Sequence, residues 1–175
     1  VIHGYQIRKV NPTDAGAIAK VHVDSWRTTY RGIVPDDFLD GMSYAVSEAR
    51  WRRISAQNAP DYAMFVAEDE DGSIIGFANG GRERSGDADY DGELYAIYLL
   101  QAHQRRGIGR ALFQNIVQHL VVNGFRSMLI WVLEDNPACR FYESMGGVPV
   151  READVEIGGK MLREIGYGWM ELESL

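Results

Sequence analysis

The stretch Gln104-Arg105-Arg106-Gly107-Ile108-Gly109-Arg110 sets two glycines among three arginines, where an apolar strand pattern stops and an amphipathic helix pattern begins. Glu93 to Leu100 is rich in apolar, aromatic and β-branched types, and Ile108, Ala111, Leu112, Asn115, Ile116, His119 and Leu120 recur at helical spacing. Backbone amides in the first turn of a helix have no intrahelical acceptor, and the aligned peptide dipoles place partial positive charge there. The junction therefore suits phosphate oxygens. The glycines let an anion approach the main chain, and Arg105, Arg106 and Arg110 can pair with phosphate. Neither the G-x-G-x-x-G spacing of dinucleotide-binding loops nor the G-K-[ST] ending of a P-loop is present.

The elements around this junction read as one alternating series. Tyr5 to Val10 alternates as a first strand, and Asn11-Pro12-Thr13-Asp14 offers a turn and a cap for a helix running to about Tyr30. Pro35-Asp36-Asp37 opens a short helical turn, and Ser43 to Gln57 reads as another helix. Tyr62 to Glu68 and Ser73 to Gly80 predict a hairpin across Asp71-Gly72. The charged loop Arg82 to Asp91 leads into the glycine-loop unit. Asn123-Gly124 stops the central helix, and Met128 to Leu133 is an apolar run suited to a strand buried on both faces. Asn136-Pro137 starts a short helix ending at Gly146-Gly147; Val148 to Ile157 and Met161 to Leu172 then form two strands around Gly158-Gly159. The order predicts a mixed α/β sheet with helices on both faces, in one domain over 1–175.

Bulk composition bounds the function. A chain of 175 residues can bury roughly 70% of its unfolded surface, and 46% apolar with 25% charged residues is ordinary for a globular protein. A net charge of -7 argues against nucleic-acid binding and favours a cationic small partner. No apolar run nears the roughly 20 residues of a membrane span, and no basic-then-apolar leader is seen, so the expected location is the cytoplasm, with no membrane partner. The single cysteine, Cys139, excludes an internal disulfide, and the four histidines are scattered, so no metal is expected.

The loop resembles the Q/R-x-x-G-x-G/A signature of GNAT-type N-acetyltransferases, matching every fixed position. A second segment, Asn136-Pro137-Ala138-Cys139-Arg140-Phe141-Tyr142-Glu143, is similar to the family's N-x-x-A-x-x-F-Y-E, with cysteine where alanine is usual. Element order extends the likeness over nearly the whole chain, most strongly from Glu93 to Gly147. The resemblance implies a GNAT-type fold: a mostly antiparallel sheet with splayed central parallel strands. It implies acetyl-CoA as cosubstrate, with its pyrophosphate on Gln104, Arg105, Arg106, Gly107, Ile108, Gly109 and Arg110. Main-chain groups of Ile97, Tyr98 and Leu99 would pair with the pantetheine and thioester, the Leu99 amide polarising the carbonyl.

The same likeness implies acetyl transfer to a primary amine, small molecule or peptide, directly within a ternary complex. Tyr142 matches the family's general acid, and a phenol with a pKa near 10 is protonated at neutral pH. Asn136 would bind the pantetheine amide, cap a helix, or do both. Glu93 stands where many relatives draw a general base, although with Asp87, Asp89 and Asp91 it could equally belong to a solvated acidic loop or a cation-attracting mouth. Tyr95 is a further candidate for the acceptor pocket. His22, Trp26 and Tyr30 share one helix face; Trp26 and Tyr30 could cup an amine by cation–π contact, although such stripes more often pack in cores. Arg27 and Arg31 could instead recognise a carboxylate. Cys139 reads as packing rather than as a nucleophile. Gly147 departs from the family, where an aromatic commonly follows the glycine. A homodimer is expected, and the rival reading is an acetyl-CoA-binding sensor or docking domain without turnover.

Overall fold

The helical repeat after the glycine loop becomes α4 (Ile108–Val122), and Ile108, Leu112, Phe113, Ile116 and Leu120 on one of its faces are fully buried. Each such side chain contributes about 1.5–3 kcal/mol by leaving water, so this face pins the helix to the sheet. The computed structural model describes residues 4–175. Its sheet comprises β1 (Tyr5–Lys9), β2 (Ala63–Asp69), β3 (Ile74–Arg82), β4 (Gly92–Leu99), β5 (Met128–Leu133), β6 (Val148–Ile157) and β7 (Lys160–Trp169). The other helices are α1 (Ala15–Thr29), α2 (Asp36–Asp40), α3 (Tyr44–Ser55) and α5 (Cys139–Ser144).

The seven strands lie in the order β1-β2-β3-β4-β5-β7-β6. All neighbours are antiparallel except β4 and β5. Alternation along the strands sends one set of side chains toward α4 and the other toward α1 and α3. Leu94, Met128, Ile130, Ile165 and Tyr167 join the α4 face, and Met64, Val66 and Phe77 join Ile18, Val21 and Trp51 on the opposite face. Helices thus cover both faces of a mixed sheet.

Several boundaries differ from the sequence reading. The β2–β3 connection is wider than a tight Asp71-Gly72 turn: the Asp69 amide donates to the Ser73 carbonyl (2.9 Å), and the Asp69 carboxylate accepts from the amides of Asp71 and Ser73. A carboxylate that bonds its own loop offers the backbone an alternative to continued strand pairing. The last strand stops at Trp169, and Leu172–Ser174 turns as a 3-10 helix. Gly158 and Gly159, both at positive φ, close the β6–β7 hairpin in two residues as expected. At Gly147 an added Cβ would lie 2.6 Å from the Trp169 ring, so the space of a local aromatic is filled by an indole from β7.

Candidate functional site

The parallel pair that forms the site is barely paired. Between β4 and β5 only Gly92 with Met128 and Glu93 with Leu129 are in register, and beyond them the strands diverge. The far side of β4 stays bonded to β3, where the Leu100 amide donates to the Ile75 carbonyl at 2.9 Å. Alternation along an antiparallel ladder then turns the main chain of Leu99 and Ile97 away from β3, into the cleft. Tyr98 is turned the other way, and its main chain is committed to β3. The Leu99 carbonyl accepts from the Gln104 side chain (3.3 Å), while its amide lies on the cleft side.

At the mouth of the cleft sits the glycine loop. Arg105 (φ 61) and Gly107 (φ 81) both adopt the left-handed conformation on either side of Arg106. A non-glycine residue there is uncommon, and such residues concentrate where backbone amides are turned toward a ligand. Arg105, Arg106 and Arg110 are exposed, and none forms an ion pair with a described carboxylate. In a chain of net charge -7, these three cations, unpaired with any described carboxylate, add to the positive end of the α4 dipole and leave a local excess of positive charge there.

Tyr142 on α5 is buried, and its hydroxyl makes no hydrogen bond to a described residue. Burial holds its pKa well above the ordinary phenol value, and the neighbouring phenols of Tyr30 and Tyr98 and the Cys139 thiol push it further the same way. Asn136 uses both ends of its amide: Oδ1 accepts from the Ala138 N–H (2.8 Å), and Nδ2 donates to the Tyr30 hydroxyl (3.1 Å). The helix it introduces therefore begins only at Cys139. Burial raises the Cys139 thiol, which donates to the carbonyls of Leu133 and Glu134 and so packs as expected.

Glu93 is 4% exposed and is held by Arg84, whose Nη2 and Nε donate to its two oxygens (2.6 and 3.1 Å) and whose backbone amide adds a third bond (3.1 Å). Arg84 also lies over the Tyr95 ring, 4.0 Å from its centroid. Tyr95 is a bulge residue, since Gly80 pairs with Leu94 and Asn79 with Ala96. Its hydroxyl donates to the Arg82 carbonyl, and burial pushes its pKa up to about 12. Arg84, Ser85, Glu93 and Trp131 line a cleft of about 300 Å³ on the face opposite α4.

The remaining acids of the charged loop are structural. Arg151 binds Asp87 through two bonds (2.9 and 3.1 Å) and Asp89 (2.6 Å), and Asp91 accepts from the amides of Arg126 and Ser127. They are tied to β6 and to the start of β5, so the loop is no open acidic mouth. Trp26 packs edge-on against Tyr30 (4.6 Å between ring centres), and both join a cluster with Val34, Leu39, Leu133 and Leu162. The Tyr30 hydroxyl accepts from Asn136. Arg27 donates to the carbonyls of Leu39 and Met42, and Arg31 pairs with Asp36 and Asp40, so neither points a free cation at the site. Arg84 and Trp131 were not singled out by sequence; their signal is tertiary, because only the β4–β5 register places Trp131 near Glu93.

The acetyltransferase (GNAT) family model matches residues 20–147. The uncharacterized N-acetyltransferase YuaI of Bacillus subtilis is 46% identical over 169 residues, covering 97% of this chain and 95% of its own. This chain belongs to the GNAT acetyltransferase family. The L-amino acid N-acyltransferase MnaT of Escherichia coli is 26% identical over 95% of this chain and 92% of its own length. In fold, the GNAT phosphinothricin acetyltransferase of Sinorhizobium meliloti, solved with acetyl-CoA, superposes with a TM-score of 0.72 at 21% identity, covering 97% and 89% of the two chains. As a GNAT acetyltransferase the protein is an enzyme, and its splayed β4–β5 cleft is the family fold. Among the described residues no group of three His, Cys, Asp or Glu is placed to hold a metal ion, and no helix is long and apolar enough to cross a membrane.

Proposed function

We propose that the protein moves an acetyl group from acetyl-CoA to a primary amine by direct transfer in a ternary complex. The observation that carries this reading is the opening between β4 and β5, with unpaired main chain at Ile97 and Leu99 leading to an uncompensated cationic helix start. The residues present fit the cosubstrate. Gln104 to Arg110 would hold its phosphates, the second Nδ2 hydrogen of Asn136 its arm, and the Leu99 amide would polarise the thioester carbonyl. Acetyl-CoA supplies the activated acyl thioester.

Tyr142 resists ionisation, so at neutral pH it keeps a proton to give a departing thiolate. Glu93 contributes negative charge beside the acceptor cleft, and Arg84 fixes its orientation. The amine's chemistry is supported by the names of YuaI and MnaT, which describe N-acyl transfer. The cleft bearing Arg84, Glu93 and Trp131 is the place for it.

The test is the thermal midpoint of the full chain against acetyl-CoA concentration, followed by thiol release with benzylamine, L-methionine and spermidine as acceptor probes. Ligand at 100 times its dissociation constant adds about 2.7 kcal/mol, or roughly 5–10 °C for a chain this long. A saturable shift that disappears in a folded Gly107→Trp/Gly109→Trp variant, with thiol release from at least one amine, is expected. A shift without release would leave the sensor reading instead.

A further inference from the structure

Residues along β7 alternate between the two faces. Ile165, Tyr167 and Trp169 enter the core under α4, whereas Leu162 joins Tyr30, Leu39 and Leu133 on the opposite, acceptor side. Glu164 has the parity of Leu162 and lies across from Leu133 in the β5–β7 ladder, as Gly166 lies across from Trp131. Its side chain is therefore on the acceptor side. Gly166 has no side chain there, and an added Cβ would stand 3.4 Å from the Trp131 ring, so the indole lies over the strand next to Glu164.

Glu164 is half-buried, yet it makes no hydrogen bond or ion pair with a described residue. Carboxylates withdrawn from water are ordinarily paired. Of the charges on this face, Glu93 is engaged with Arg84, and Arg151 with Asp87 and Asp89. Both oxygens of Glu93 already accept hydrogen bonds from Arg84, three in all, whereas those of Glu164 accept none from a described residue.

We propose that Glu164, not Glu93, is the base that receives the acceptor ammonium's proton. The inference rests on the amine-acetyltransferase reading above. The proton passes from the ammonium to the Glu164 carboxylate, and the freed nitrogen lone pair forms the N–C bond at the thioester carbonyl. The C–S bond breaks, and the departing thiolate takes the Tyr142 proton. The Tyr142 phenolate recovers a proton from the new amide nitrogen, which must shed its second one, and Glu164 releases the ammonium's proton to water. Burial and the charge of Glu93 hold the Glu164 carboxyl above its ordinary range, which brings it nearer the pH at which it must accept a proton. Trp131 beside it offers a ring face to the cation.

The experiment compares wild type, Glu164→Gln, Glu164→Asp and Glu93→Gln on whichever of the three probe amines the wild type acetylates. It reads kcat/KM against pH and, without turnover, calorimetric affinity for the same amine in the presence of coenzyme A. Glu164→Gln is expected to lose 100-fold or more in kcat/KM and 10-fold or more in amine affinity, while the acetyl-CoA thermal shift is kept. Glu164→Asp, which keeps the charge, should recover part of both. The acidic limb of the pH profile should vanish in Glu164→Gln and survive in Glu93→Gln. A Glu164→Gln rate within twofold of wild type, or an acidic limb lost only in Glu93→Gln, overturns the assignment with the enzyme reading intact. Loss of the acetyl-CoA shift in Glu164→Gln also overturns it, since the residue would then act on the fold or the cofactor cleft. Acetyl-CoA binding with none of the probes acetylated sinks the amine reading, and this inference with it.

Discussion

The side-chain amide of Asn136 donates to the phenolic oxygen of Tyr30 at 3.1 Å, joining the end of α1 to the segment that introduces α5 across 106 residues of sequence. Both groups are buried, so the bond is shielded from water. It fixes the orientation of an amide that also caps Ala138, and it leaves one amide hydrogen for a ligand. Tyr30→Phe should cost about 1–3 kcal/mol, because the Nδ2 group loses its partner in a buried setting. Acetyl-CoA affinity should fall several-fold with it, as measured by thermal midpoint and calorimetry. Unchanged affinity would separate Tyr30 from the cofactor cleft.

Tyr142→Phe removes one hydroxyl that bonds no described residue. Stability should therefore stay within about 1 kcal/mol of wild type. Turnover should fall 10²-fold or more, in the range of a lost general acid. Steady-state rates beside an acetyl-CoA binding curve decide this, and equal turnover would remove the phenol from the chemistry.

His22 is 7% exposed, bonded to Ser47 through Nδ1 (2.9 Å) and ringed by Trp26, Trp51 and Tyr98. Burial pushes its pKa down to about 4, with the charge of Arg50 acting in the same direction. A histidine whose charged form is disfavoured in the fold contributes fully above its unfolded pKa near 6.5. That contribution is lost progressively as pH falls from there toward 4, and about 3 kcal/mol is at stake. Chemical denaturation at pH 7.5, 6 and 5 should show a loss in wild type that His22→Gln lacks. A parallel decline in both proteins would assign the acid sensitivity to other groups.

Arg84→Ala should destabilise the fold by about 1–3 kcal/mol, because Glu93 loses two of its three hydrogen bonds while remaining buried. The double variant with Glu93→Gln should recover part of that loss. If the two changes simply add in a denaturation cycle, the pair is not coupled.

Gly168 faces the Tyr90 ring so closely that an added Cβ would overlap the hydroxyl and its ring carbons. Gly168→Ala must displace Tyr90 and with it the loop carrying Arg84. A loss of about 1–3 kcal/mol, typical of overpacking, is expected in thermal denaturation, with weakened acceptor binding. A fully stable variant would show that the loop yields without cost.

Most of the fold was legible because its signals are local. The 3.6-residue repeat of α4, the paired glycines at 158 and 159 and the apolar run of β5 each specify an element without help from the rest of the chain. The two segments that resemble the family were legible for the same reason, since Gln104 to Arg110 and Asn136 to Glu143 are each contiguous. The cleft proposed for the acceptor was not. Arg84, Trp131 and Glu164 sit on three separate segments, and they share a face only through strand register, which no local pattern encodes. The left-handed turn at Arg105 was equally invisible, because an arginine carries no propensity for it. On the aromatic stripe of α1, Trp26 packs against Tyr30, and Tyr30 bonds across to Asn136, a contact that only the tertiary fold makes.

Two rungs of backbone pairing join β1–β4 to β5–β7, so the molecule is built as two leaves whose shared ladder stops after Glu93 and Leu129. α4 shares one hydrophobic core with both leaves, with Ala67 and Ile75 on one and Met128 and Ile130 on the other. An extended ligand in the gap would act as the absent strand, and its main-chain partners would be the cleft-facing groups of Ile97 and Leu99. Amide hydrogen exchange at those two positions should then be fast in the free protein and slow when acetyl-CoA is present. Tyr98, bonded to β3 throughout, should exchange slowly in both states. Protection alternating residue by residue along one strand would register the closing of the sheet itself.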